Sequence, residues 1–397
     1  MPRHAILITL DHLAASQIGA YGQYRARTPA LDQLASRAAV FHNGLCHAVL
    51  GEGRSPTEEW AVQSVVEGSL DALQAAGILI ETVKQTADQT PREWVHDGVA
   101  AIRSQLSSHQ PGLTWIQGIG VPDPWVPDHA GWETEVARLL GTSWEELLAD
   151  ESDEMTPALA VEELIAEGAF TRRRQPAEAD TVVERLSLAL YAACVEKLDD
   201  RLGRLIREYQ RHAQPDSLLI IAGLLGDNLP RQLPITRPVQ LHTELVRVPL
   251  IMQSGAGHAG GSTVLELVQT TDIAETLAAW LCHDVSGQAL AAGSSRSIEN
   301  TSSVTSVNPL TVNAPVNLLS IADKTAPGRP FVRVANSTGE TLIRTPDAQL
   351  LTRPADPAQD ESDPTEWLTL KPEDAWDLLN VADQHQDLVE SLRQFME

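Results

Sequence analysis

Four short, apolar, β-rich runs constrain this 397-residue chain more than any other feature: AILITL from Ala5, LTWIQG from Leu113, SLLIIA from Ser217 and VPLIM from Val248. A strand that is apolar along its length is covered on both faces, as in a mostly parallel sheet sandwiched by helices. The stretches between the runs are long and carry helical periodicity, which is what parallel crossovers require. The clearest precedes SLLIIA. There Tyr191, Val195, Leu198, Leu202, Leu205 and Tyr209 recur at three- and four-residue steps and form one apolar stripe. From about Ser55 to Gln110 the pattern is again amphipathic and helical, with Thr90, Pro91 and Glu93 giving a helix start. The expected class is α/β, a doubly wound, mostly parallel sheet with helices on both faces.

Between Ser294 and Asn317 the composition shifts to serine, threonine and asparagine, with prolines at Pro309 and Pro315, which marks a linker. Residues 1–293 then form the large α/β domain and 318–397 a small C-terminal α+β subdomain. In the latter, FVRVAN and TLIRT predict strands, and DAWDLLNVADQHQDLVESLRQF predicts a closing amphipathic helix. No internal repeat is present.

The formal charge of −25 argues against nucleic acid and anionic membranes as partners, because such binders work by neutralising phosphates. It also disfavours long-range steering of anionic esters, although a local basic pocket could still hold one. The three cysteines, Cys46, Cys194 and Cys282, are widely spaced and odd in number, so a disulfide framework is not expected. The N-terminal apolar run meets Asp11 and His12 without a small-residue cleavage site, and no stretch reads as a membrane span. A cytoplasmic protein is the expectation.

The opening ILITLDHLAASQIGAYGQYRARTPALDQLASRAAVFHNG resembles the start of the sulfatase branch of the alkaline-phosphatase superfamily, with Tyr21, Gly22, Thr28, Pro29, Leu31, Asp32 and Leu34 in step. YAACVEKLDDRLGRLIREY, LHTELVRVPLIM and TTDIAETLAAWL are similar to later elements of that family, and KPEDAWDLLNVADQHQDLVESL to its C-terminal subdomain. Only the segment from about Ser55 to Gln110 shows little similarity. The resemblance implies an alkaline-phosphatase-like fold. It also implies a mechanism in which a modified cysteine or serine attacks sulfur, a divalent cation activates it, and basic side chains hold the sulfate.

Measured against that pattern, most of the machinery is replaced. The resemblance makes Asp11, at the end of AILITL, a relict metal ligand; it could equally be a helix cap. His12 stands where many relatives have a second carboxylate, and imidazole suits a hard cation poorly. After SLLIIA the family reads serine-aspartate-histidine-glycine, whereas this chain has Gly223, Leu224, Leu225, Gly226 and Asp227. Two leucines replace an acid and a histidine, and Asp227 is a weak metal candidate that needs a rearranged turn. After LTWIQG, Pro122 falls where a histidine should bind sulfate or protonate the leaving group. At the nucleophile motif, one register sets Arg54 on the family arginine and leaves Leu50 as nucleophile. A slipped register uses Cys46, with Ala48 tolerated and Leu50 in place of the arginine. Lys84 lies close to the family's glycine-lysine position.

Plainer readings stand beside these. Cys46 behaves as a small buried hydrophobe, Arg54 as a surface residue, His12 as a half-buried histidine, and Leu224 and Leu225 as core. His42 and His47 with Asp11 and His12 have zinc-compatible side chains, but no i, i+4 helical pair supports such a site. The expectation is a pseudoenzyme with no cofactor, acting by binding or scaffolding towards a protein or a small anionic ligand. The alternative is an active sulfuric-ester or phosphoester hydrolase using Asp11, Asp227, Arg54 and Cys46 with Ca2+ or Mg2+. A small-molecule sensor that keeps a pocket without turnover is a third.

Overall fold

Seven strands form the main sheet, in the order β3-β4-β1-β5-β6-β2-β7. They are β1 (His4–His12), β2 (Ala39–Leu45), β3 (Leu79–Lys84), β4 (Gly112–Gly120), β5 (Ser217–Leu225), β6 (Leu250–Ser254) and β7 (Ser262–Gln269). The structure, a computed structural model, describes residues 2–23, 25–47, 55–58, 60–61, 73–86, 88–147, 156–166, 181–227, 229, 241–255, 260–282, 314–355 and 365–396.

β1 lies at the centre, parallel to β4 on one side and β5 on the other, and buried on both faces as its sequence requires. Its side chains alternate. Ile6, Ile8 and Leu10 enter a core beneath the helices α1 (Pro29–Ala35), α2 (Pro91–Leu106), α3 (Trp132–Leu140) and α4 (Thr181–His212), while Ala5 and Leu7 enter a second core beneath α5 (Asp272–Cys282). Each such fully buried Leu or Ile stabilises the fold by about 1.5–3 kcal/mol. The fold class and the two helical layers are those expected from the sequence.

Two elements differ from expectation. VPLIM, taken as one more member of a parallel series, runs antiparallel to β5 as β6. Among the described residues of the intervening connection, the helical element is the four-residue turn Thr243–Val246, and an antiparallel neighbour needs no long helical crossover. Within 55–110, residues 79–84 are not helical but form β3 at the sheet edge, where no residue is fully buried and the apolar ones, Leu79, Ile80 and Val83, do not alternate. The helical period is real from Pro91 onward. There a capping box is closed: Thr90 Oγ1 accepts the Glu93 N–H at 3.3 Å and Glu93 Oε2 accepts the Thr90 N–H at 2.9 Å.

α4 carries the apolar stripe read from the sequence and packs on α1, α2 and α3. On its flank, Asp199 accepts the N–H groups of Ala30 and Leu31 at 2.9 Å each, satisfying the free donors at the start of α1.

A separate four-stranded antiparallel sheet follows, built from β8 (Val332–Ala335), β9 (Thr341–Arg344), β10 (Ala348–Arg353) and β11 (Thr365–Leu370). It is anchored at the start of α5. Asp272, fully buried, takes Arg329 Nη2 at 2.6 Å, the N–H of Val316 at 2.8 Å and that of Gln269 at 2.7 Å. The closing helix is shorter than its sequence pattern, spanning only Gln386–Arg393. Upstream of it, Asp374 turns the chain by accepting the N–H groups of Trp376, Leu378 and Leu379 with its carboxylate, a local alternative to helix. Among the described residues, no helix is long and apolar enough to cross a membrane.

Candidate functional site

The carboxyl ends of β1, β4 and β5 meet at one edge of the sheet, the usual place for a site in an open α/β fold. His12 is in register with Gly120 of β4 and with Leu225 of β5. The strands approach closely here. A Cβ on Gly120, whose φ is 72°, would stand 2.0 Å from the His12 carbonyl oxygen, and one on Gly226 would stand 2.0 Å from that of Glu244. Both positions therefore require glycine.

Asp11 ends β1 partly exposed, and its Oδ1 accepts the backbone N–H of Thr57 at 2.9 Å. The position beside it on β5 belongs to Leu224. That side chain is 3% exposed and lies in the apolar core with Trp60, Leu113 and Trp115. Leu225 is 6% exposed and packs with Leu45, Cys46, Leu241 and Leu245. An acid or an imidazole in either place would face hydrocarbon, and a cation at Asp11 finds no counter-charge from β5.

Asp227 is buried at 1% exposure and is already satisfied. Its Oδ2 accepts the hydroxyl of Tyr191 at 2.8 Å, and its Oδ1 lies 3.5 Å from His12 Nδ1, which is also 3.3 Å from the carbonyl oxygen of Gly226. Tyr191 in turn accepts the N–H of Ala14 at 3.3 Å and takes the edge of Trp125, with ring centroids 5.3 Å apart at 88°. The sequence placed Tyr191 only in an apolar stripe and missed this second role. The available signal was chemical: a buried phenol needs a partner for its hydroxyl.

Cys46 is fully buried among aliphatic side chains, and burial pushes its thiol up to about 12, so the thiolate needed for attack is suppressed. Its backbone is tied on both sides, by the Val246 carbonyl at 2.8 Å and by Gln269 Nε2 at 3.3 Å. Pro122 follows the buried Val121 at the end of β4 and offers no titrating group. Lys84 is exposed at the end of β3 and pairs with Glu58 at 3.2 Å. Ala48, Leu50 and Arg54, the remaining positions of the nucleophile motif, lie outside the described residues.

The histidines do not assemble either. His42 is half-buried against the Tyr21 ring at 5.1 Å, and burial, with Arg247 beside it, holds its imidazole below the ordinary range. Among the described residues, no three histidine, cysteine, aspartate or glutamate side chains are grouped so that they could hold a metal ion. The described residues at the strand edge thus do not fit the cation that the resemblance implies.

No protein-family model and no curated protein matches the chain at the level of sequence. Solved structures do match its fold. A phosphonate monoester hydrolase of Agrobacterium radiobacter superposes with a TM-score of 0.60 at 13% identity, covering 99% of this chain and 95% of that one. A 2-O GAG sulfatase gives a TM-score of 0.62 at 15% identity, covering 100% of this chain and 91% of the other. A protein solved in complex with its substrate D-glucosamine-2-N,6-O-disulfate gives 0.61 at 13%, covering 99% and 96%. At such identities the likeness fixes the architecture and leaves the chemistry to the residues.

Proposed function

We propose that this chain has the sulfatase fold without the hydrolysis, and acts by binding or scaffolding. The observation that carries the reading is the pair Asp11 and Leu224 on adjacent strands. A divalent cation needs several oxygen ligands to replace its water, and the strand next to the one surviving carboxylate supplies a buried methyl group. Three further features support it. Asp227 is engaged by Tyr191 and His12, Cys46 is a buried protonated thiol, and Pro122 cannot transfer a proton.

The test is direct. Purified full-length chain is assayed with aryl sulfate, aryl phosphate and phenylphosphonate monoester in the presence of calcium, magnesium or manganese. The expected outcome is no turnover above buffer, and no metal-dependent rise in melting temperature. Turnover that disappears in Asp11→Ala would overturn the reading and favour a hydrolase with a rearranged site.

A further inference from the structure

Between β2, the Thr243–Val246 turn and the small sheet lies a cavity of about 400 Å³, within the usual range for a small-molecule site. Three of its lining side chains are cations drawn from distant parts of the chain: Arg247, Arg344 and Lys371. All three are largely withdrawn from water, and burial holds each below its ordinary range, Arg344 down to about 10 with the charge of Arg247 adding to the effect.

The local carboxylate is already spent. Asp377 accepts the N–H of Thr243 at 2.7 Å, its hydroxyl at 3.0 Å and Gln349 Nε2 at 2.9 Å, and it binds the Lys371 ammonium as well. Arg247 donates Nε to the His42 carbonyl at 2.8 Å and sets its guanidinium over the Tyr21 ring at 5.7 Å. Arg344 is 8% exposed, and its buried Nη1 has no hydrogen-bond acceptor. Three other carboxylates act on these cations: Glu244, bonded by Ser16, on Arg247; the exposed Asp347 on Arg344; and Asp374, whose carbonyl also accepts the Lys371 ammonium, on Lys371. A buried guanidinium N–H without an acceptor costs folding free energy, and an oxyanion is the natural partner for it.

We propose that this cavity binds a dianionic phosphate group, held by Arg247, Arg344 and Lys371. The open Arg344 N–H selects the ligand: a phosphate dianion carries more charge on its oxygens than a sulfate monoester, and so makes the stronger charge-assisted bond to that donor and to the two cations beside it. Leu45, Leu265, Pro346 and Pro372 form the apolar part of the wall, against which an uncharged organic body attached to the phosphate can lie. The site is independent of whether the strand-edge residues hydrolyse anything, because it uses neither Asp11 nor Asp227.

The test uses calorimetric titration of the full chain with inorganic phosphate, glucose 6-phosphate and glucose 6-sulfate at matched ionic strength. Saturable binding of phosphate or glucose 6-phosphate is expected, at least tenfold tighter than of glucose 6-sulfate. Tighter binding of the sugar phosphate assigns the site to a phosphate monoester, and equal binding assigns it to inorganic phosphate. Arg344→Met is expected to weaken binding at least tenfold, with circular dichroism of the free chain confirming that the variant is folded, since the Nη1 it removes has no acceptor in the free chain. Arg344→Gln serves as the second variant, and Asp11→Ala is expected to bind as the unsubstituted chain does. No saturable binding of either phosphate compound, or binding that both Arg344 variants leave intact, overturns the proposal.

Discussion

Tyr191 donates its hydroxyl to Asp227 at 2.8 Å while accepting the Ala14 N–H at 3.3 Å, so one phenol joins the crossover helix to the ends of β1 and β5. Replacing it with phenylalanine keeps the ring packed on Trp125 but takes one donor from a buried carboxylate and the acceptor from a backbone amide. Tyr191→Phe is expected to lower stability by about 1–3 kcal/mol. Urea unfolding measures this, and a change below a few tenths of a kcal/mol would show that the bond contributes nothing.

The three cysteines differ in burial, and only Cys282 is partly exposed. Native protein treated with a thiol reagent at pH 8 is therefore expected to label first at Cys282, with Cys46 silent until urea unfolds the chain. Peptide mapping by mass spectrometry reads the order. Rapid native labelling of Cys46 would mean that its pocket opens and that the thiol is available for chemistry.

Asp199 gives a pH dependence of unusual sign. Burial raises its carboxyl to about 6 in the folded chain from an ordinary value of 3.8, against the pull of the Ala30 and Leu31 amides. The folded state thus holds this proton more tightly than the unfolded state does. Its contribution is fully present below pH ~4 and is lost as pH rises through about 6. Relative to Asp199→Asn, which does not titrate, the stability of the unsubstituted chain is expected to fall by on the order of 2 kcal/mol between pH 4 and 7. Denaturant unfolding across that range checks it. A difference that stays flat or widens in the opposite direction contradicts the assignment.

The ion pair of Arg329 and Asp272 ties the segment leading to the small sheet onto α5. Both side chains are buried, so removing one leaves the other charged and without its main partner. Arg329→Met is expected to cost about 3–5 kcal/mol in global stability, measured by urea unfolding. A cost under 1 kcal/mol would mean that the backbone donors to Asp272 suffice alone.

The parts of the fold legible in the sequence were those governed by burial on both faces. β1, β4 and β5 were visible as apolar runs, and α4 as a stripe from Tyr191 to Tyr209. β3 was not, because no residue of this edge strand is fully buried and Leu79, Ile80 and Val83 stand at i, i+1 and i+4, a spacing that reads as helix. The C-terminal helix was overextended because Asp374 captures three backbone amides through a geometry that periodicity does not encode. At the strand edge, the apolar character of Leu224 and Leu225 was readable one residue at a time. The cavity around Arg344 was not. Its cations come from residues 247, 344 and 371, and only the packing of the small sheet against β2 brings them together.

Gly226 restricts what this architecture could become. Its backbone lies so close to the Glu244 carbonyl that no side chain fits, in the turn that sets Asp227 beside Tyr191 and His12. Building a cation site beside Asp11 by design would therefore call for acidic groups at positions 224 and 225 themselves, together with polar replacements in the core that Leu224 shares with Trp60 and Trp115.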